Sequence, residues 1–155
     1  MKRILLGLLF ALLFVPAAHA SHYDLLDIEL VPEAVTQKLV ADKIENTEDL
    51  FALLMKKKDR AAFSKKYGMA AADVDVLARK LELMQIIGVG PKAATLLQLA
   101  DVKNAKALSE AVPAELLEIL QRVNREHAIT GVQPDLAVVR DWIEKSKRIT
   151  NHLEL

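Results

Sequence analysis

Ile86-Ile87-Gly88-Val89-Gly90-Pro91-Lys92-Ala93-Ala94-Thr95-Leu96-Leu97 combines a tight turn with the start of a helix. One glycine supplies a backbone conformation with positive φ. The other lets a neighbour or a ligand come close to the main chain. Pro91 suits a first helical position, where its missing N–H would have no partner anyway. Val89, between the glycines, is expected to turn into the core. The unpaired N–H groups of the new helix then face outward, where they favour an anion, and Lys92 stands beside them for a charge-assisted contact. Gly88, Gly90 and Lys92 are therefore the candidate phosphate-binding hairpin. A second reading takes the same residues as a helix–helix turn that packs and binds nothing.

Outward from this segment, apolar residues recur at helical spacing, as in Val74, Leu77, Leu81 and Met84, and strand-like alternation is absent. The expected class is all-α, built of short helices. Pro32 opens a helix to about Ala41. Thr47 is expected to cap a helix through Leu50, Leu53 and Leu54. A basic helix covers about Asp59–Tyr67 and stops at Gly68. The longest helix is expected at about Ala72–Gln85. Helices follow from Pro91 to about Ala100, from an Asn104 cap to before Pro113, from about Ala114 to Glu126, and from about Asp135 to Arg148.

Two stretches read as copies of one unit. Ile28-Glu29-Leu30-Val31-Pro32-Glu33-Ala34 aligns with Ile87-Gly88-Val89-Gly90-Pro91-Lys92-Ala93. With one insertion in the first copy, Leu39, Ile44, Asn46 and Leu50 fall on Leu97, Val102, Asn104 and Leu108. Glu29 and Val31 replace the two glycines. Glu29 would repel phosphate and Val31 carries a Cβ, so the first copy is expected to be structural. The expected division is residues 1–20, a signal peptide; 21–85, a degenerate first unit with connecting helices; and 86–155, the second unit with the C-terminal helices, the two units packing as one compact domain.

The first twenty residues have the layout of an export signal: Lys2 and Arg3, the apolar run Ile4–Val15, Pro16, then Ala18-His19-Ala20. The run is shorter than the ~20 apolar residues that span a bilayer. Cleavage after Ala20 would leave 135 residues beginning at Ser21, in the periplasm or outside the cell, with no membrane insertion of the mature chain. The full chain has 21 basic and 21 acidic side chains; losing Lys2 and Arg3 leaves a net charge of −2. With no cysteine, the protein forms no disulfide in a compartment that permits them, so packing alone must hold it.

Lys56, Lys57, Lys58, Arg60, Lys65 and Lys66 form a basic stretch broken by Asp59. It reads as a candidate basic patch for nucleic acid or anionic lipid, or as a solvated helix face. Trp142, the only tryptophan, shares a helical face with Val138, Val139 and Ile143 and is expected in the core. His22, His127 and His152 have no metal-ligand spacing. No catalytic constellation is legible, and no metal or cofactor is expected.

The Gly88–Gly90 segment, with its apolar-x-Gly-apolar-Gly form followed by Ala94 and Leu97, resembles the hairpin of a helix-hairpin-helix motif. That resemblance implies a nucleic-acid backbone as ligand, bound without regard to base sequence. A wider pattern runs from Leu83-Met84-Gln85-Ile86-Ile87-Gly88-Val89-Gly90 through Leu97, Val102, Leu108, Leu116, Leu120, Val123-Asn124-Arg125-Glu126 and Pro134 to Val139-Arg140-Asp141-Trp142-Ile143-Glu144-Lys145-Ser146-Lys147. It resembles a bacterial family of helix-hairpin-helix proteins classed as a domain of unknown function, whose members end in a Trp-(Ile/Val)-Glu-x-(Ala/Ser)-Lys helix. The resemblance covers nearly all of the mature chain and implies a fold but no activity. The residues point first to a non-catalytic binding or adaptor domain with a protein partner, and second to a nonspecific DNA-binding protein. An enzyme is poorly supported.

Overall fold

The computed structural model describes residues 22–154. The export signal and cleavage site expected in residues 1–20 lie outside them. Among the described residues all regular structure is helical: α1 Glu33–Ala41, α2 Thr47–Leu54, α3 Lys57–Tyr67, α4 Ala71–Met84, α5 Pro91–Leu99, α6 Ala105–Ser109, α7 Pro113–His127 and α8 Leu136–Ser146. The longest is α7, with 15 residues against 14 for α4, contrary to expectation.

Local chemistry sets most of these ends. Pro91 and Pro113 occupy first-turn positions in α5 and α7. Gly68 closes α3 in the left-handed conformation at φ 71°. Asp135 caps α8 by accepting from the Val138 N–H at 2.9 Å. The cap of α2 is Asn46, which accepts from Glu48 and Asp49 N–H, and not Thr47. Thr47 is instead buried, and its hydroxyl accepts from the Tyr23 N–H at 3.1 Å.

The segments aligned in sequence share backbone detail. After α1, Lys43 adopts φ 67°; after α5, Asp101 adopts φ 64°. The next N–H, of Ile44 or Val102, reaches back to the Leu39 or Leu97 carbonyl at 3.0 or 2.9 Å. Asn46 and Asn104 then cap α2 and α6, and Leu50 and Leu108 are fully buried behind them.

Buried apolar side chains fall into two clusters. One holds Leu39, Leu50, Leu54, Phe63, Val74 and Leu81. The other holds Leu83, Ile86, Val89, Leu97, Leu120 and Trp142. They meet within α4, between Leu81 and Leu83. The ends of the described chain cross over: Tyr23 and Ile28 pack on the second cluster, and Leu153 is buried in the first.

The C-terminal tail is tied down by polar groups. Arg60 is buried at 8% exposure. Its guanidinium donates to the Leu54 and Met55 carbonyls at 3.1 and 3.2 Å, to the Glu154 carbonyl at 2.6 Å and to Asp75 at 2.8 Å. Glu82 is also buried and meets the His152 ring at 3.2 Å. Burial pushes the Glu82 carboxyl above its usual range, and the His152 contact offsets part of that rise.

Candidate functional site

The hairpin joins α4 to α5. The Ile86 and Val89 N–H groups bond back to the Leu83 and Ile86 carbonyls at 3.1 and 2.9 Å, which draws the chain into a tight turn. Gly88 has φ 94°, and Val89 is buried between the glycines. Gly90 is the residue before the helix, with no side-chain cap, and its carbonyl accepts from the Ala94 N–H at 2.9 Å. Since Pro91 has no N–H, the donors left at the mouth of α5 belong to Lys92 and Ala93. Lys92 is exposed.

Both glycines serve contacts within the chain. The Trp142 indole N–H donates to the Gly88 carbonyl at 3.1 Å, and a Cβ on Gly88 would lie 3.4 Å from that indole nitrogen. A Cβ on Gly90 would lie 2.9 Å from the Tyr23 hydroxyl oxygen. The close approach expected at the second glycine is thus made by Tyr23. Sequence reasoning placed Trp142 in the core, where it is. It missed the hydrogen bond to the turn and the Tyr23 contact, for which the sequence holds no local signal.

Gly88→Val is expected to lower stability by about 1–3 kcal/mol, because a β-branched residue at positive φ is strained and its Cβ faces the Trp142 ring. An unchanged urea midpoint would show that the turn does not depend on this conformation.

The basic stretch is divided by the fold. Lys56, Lys57, Lys58 and Lys65 are exposed. Arg60, counted with them in sequence, is a buried structural residue and presents no charge at an exposed patch, since its donors are turned onto carbonyls inside the protein. Lys66 pairs with Asp42 at 3.0 Å and lies over the Tyr67 ring. The Tyr67 hydroxyl also donates to Asp42 at 2.8 Å; Tyr67 first and Lys66 second hold that carboxyl below its usual range. Helix α3 packs on α2 and α4, whereas α5 packs on α4 and α7. The basic stretch and the hairpin therefore lie on separate helices that share α4 as a neighbour.

The described histidines stay apart: His22 lies against Glu48 at 3.2 Å, His152 against Glu82, and His127 is exposed. No group of three metal-ligating side chains converges among the described residues, and no described helix is long and apolar enough to cross a membrane.

A groove of about 930 Å³ lies between the start of α1, the α3–α4 link, α4 and α5. Leu30, Val35 and Leu77 line it along with Val76 and Leu99, which are 55% and 45% exposed. No feature of the sequence marked it, because its walls come from three separate stretches, within residues 30–35, 68–80 and 95–103.

Among the described residues, eight short helices around two adjoining apolar clusters define an all-α domain. Residues 30–149 match the family described as Domain of unknown function (DUF4332), and the chain belongs to that family. No curated protein and no solved structure matches the chain.

Proposed function

We propose that this is an exported, non-catalytic binding domain that contacts a protein partner through its helix faces. The observation that carries this reading is the internal use of the hairpin. Tyr23 fills the space left by Gly90, and Trp142 binds the Gly88 carbonyl. A turn so engaged serves as a rigid packing element, and exposed apolar side chains such as Val76 and Leu99 are left for a partner. Export rests on the Lys2–Ala20 pattern; N-terminal sequencing of the periplasmic protein tests it, and a retained Met1 in a cytosolic protein overturns it. In this reading the segments opened by Pro32 and Pro91 are two helix-hairpin-helix-like copies. The shared positive-φ residues and asparagine caps support that reading.

The second reading is a sequence-nonspecific grip on DNA phosphates through the start of α5. Lys92 supports it, since it is exposed beside the two free N–H groups. Titration of the protein with a short DNA duplex at low salt separates the readings. The DNA reading expects affinity in the range of about 10⁻⁴ to 10⁻⁶ M, falling with salt at a slope of about −0.9 per phosphate neutralised. Lys92→Glu should abolish that binding without changing the fold. No detectable binding by the wild type would remove the DNA reading and leave the protein-contact one.

A further inference from the structure

We propose that the groove between α1, α4 and α5 binds an amphiphile carrying one carboxylate head and a linear hydrocarbon chain. Three observations carry this beyond the protein-contact reading. The first is the lining. Residues 73, 76, 77 and 80 of α4 follow the i, i+3, i+4, i+7 spacing of one helix face, and Val76 and Leu77 lie at the centre of that face within the groove. Val35 and Leu30 extend the apolar surface from the α1 side, and Leu99 from the α5 side.

The second is the distribution of charge. Asp73 and Lys80 both line the groove. Seven residues apart on one helix, they are separated by about 10 Å along the axis, so one end of the groove is acidic and the other basic. At the basic end Lys80 and Arg79 make no ion pair among the described residues, while Lys103 is held by Asp101 at 3.1 Å. Lys80 is only partly exposed, and loss of water around it holds its ammonium below the usual lysine range. An anionic head seated there would give Lys80 its missing partner, and a hydrocarbon tail would cover Val76 and Leu99. A cationic head would meet like charge at that end, and at the acidic end only Asp73, which is exposed, so that water screens its charge.

The third is size. The volume lies within the ~300–1,000 Å³ of small-ligand pockets. The lining involves fewer side chains than the roughly 20–30 a side of a stable protein interface. A single chain therefore fits the groove better than a protein domain does.

The test titrates the purified protein with dodecanoate below its micelle concentration, with dodecyltrimethylammonium and dodecanol as comparisons, followed by calorimetry and by the shift in thermal midpoint. Dodecanoate should bind and raise the midpoint, and the cationic amphiphile should bind at least about tenfold more weakly. Lys80→Gln should weaken dodecanoate about tenfold, the effect of losing one charge-assisted hydrogen bond, and should leave dodecanol unchanged. Val76→Asp and Leu99→Asp, both at exposed positions, should remove binding of dodecanoate and dodecanol while the far-UV circular dichroism stays that of the wild type. Equal binding of the anionic and cationic amphiphiles, dodecanoate binding indifferent to Lys80→Gln and Leu99→Asp, or no binding at all would each overturn the proposal. Dodecanoate binding would assign Val76 and Leu99 to the amphiphile and leave a protein partner the other helix faces, whereas no binding leaves these two side chains to the protein partner.

Discussion

Trp142→Ala is expected to cost about 3–5 kcal/mol, the usual range for deleting a buried tryptophan side chain. Trp142 lies on α8, is 5% exposed and belongs to the second apolar cluster. Helix α8 packs against both α6 and α7, so a cavity at Trp142 would open where the last three helices meet. The indole also ends on the turn, with its N–H on the Gly88 carbonyl. Trp142→Phe separates these contributions: it keeps most of the ring volume and loses the hydrogen bond, and should cost only about 1 kcal/mol beyond a modest packing loss. Urea unfolding followed by far-UV circular dichroism measures both, since the variants lack the only tryptophan. If Trp142→Ala were as mild as Trp142→Phe, the ring would not be the packing element described.

Arg60→Ala should be comparably severe, at about 3–5 kcal/mol, because three carbonyls lose a charged donor at roughly 1–3 kcal/mol each. The side chain sits at the C-terminal end of α2, where the last carbonyls of a helix have no partner within the helix. The guanidinium takes the Leu54 and Met55 carbonyls and reaches Glu154, 94 residues away in sequence. Removing it leaves those carbonyls to find water or remain unpaired, and frees the tail that buries Leu153. Asp75, the ionic partner, is 56% exposed, so the Coulombic part is screened and the carbonyl bonds carry most of the loss. Arg60→Lys should recover only part of it, because an ammonium lacks the planar fork that serves several acceptors at once. Lys56→Ala and Lys58→Ala, at exposed neighbours, should stay within about 0.5 kcal/mol. Hydrogen exchange at the Glu154 amide, which bonds the Met55 carbonyl at 2.9 Å, should accelerate in Arg60→Ala. Equal stability of Arg60→Ala and Lys58→Ala would return Arg60 to the basic patch.

Residues that act on their immediate neighbours are legible in the sequence, and residues that act across the fold are not. A proline at a first turn, an asparagine before a helix and a glycine after one act within four residues of themselves, so Pro91, Asn104 and Gly68 disclosed the helix limits. Their reach is the reach of a single helical turn. Thr47 was misread because Asn46 and Thr47 are both capping types. The choice fell to a partner 24 residues away, Tyr23, which takes the threonine hydroxyl.

By itself, then, the sequence determined the all-helical class, most helix ends, the left-handed conformation of Gly68 and Gly88 and the burial of Val89 and Trp142, because periodicity and capping are properties of neighbouring residues. It did not determine the left-handed Lys43, Asp101 and Ala128. Tertiary structure alone decided that Tyr23 approaches Gly90, that Trp142 holds the Gly88 carbonyl across 54 residues and that Arg60 turns inward. It also made the groove from three separated segments. Each of these depends on which helix faces meet, and side-chain packing between distant segments leaves no period in the chain to reveal it.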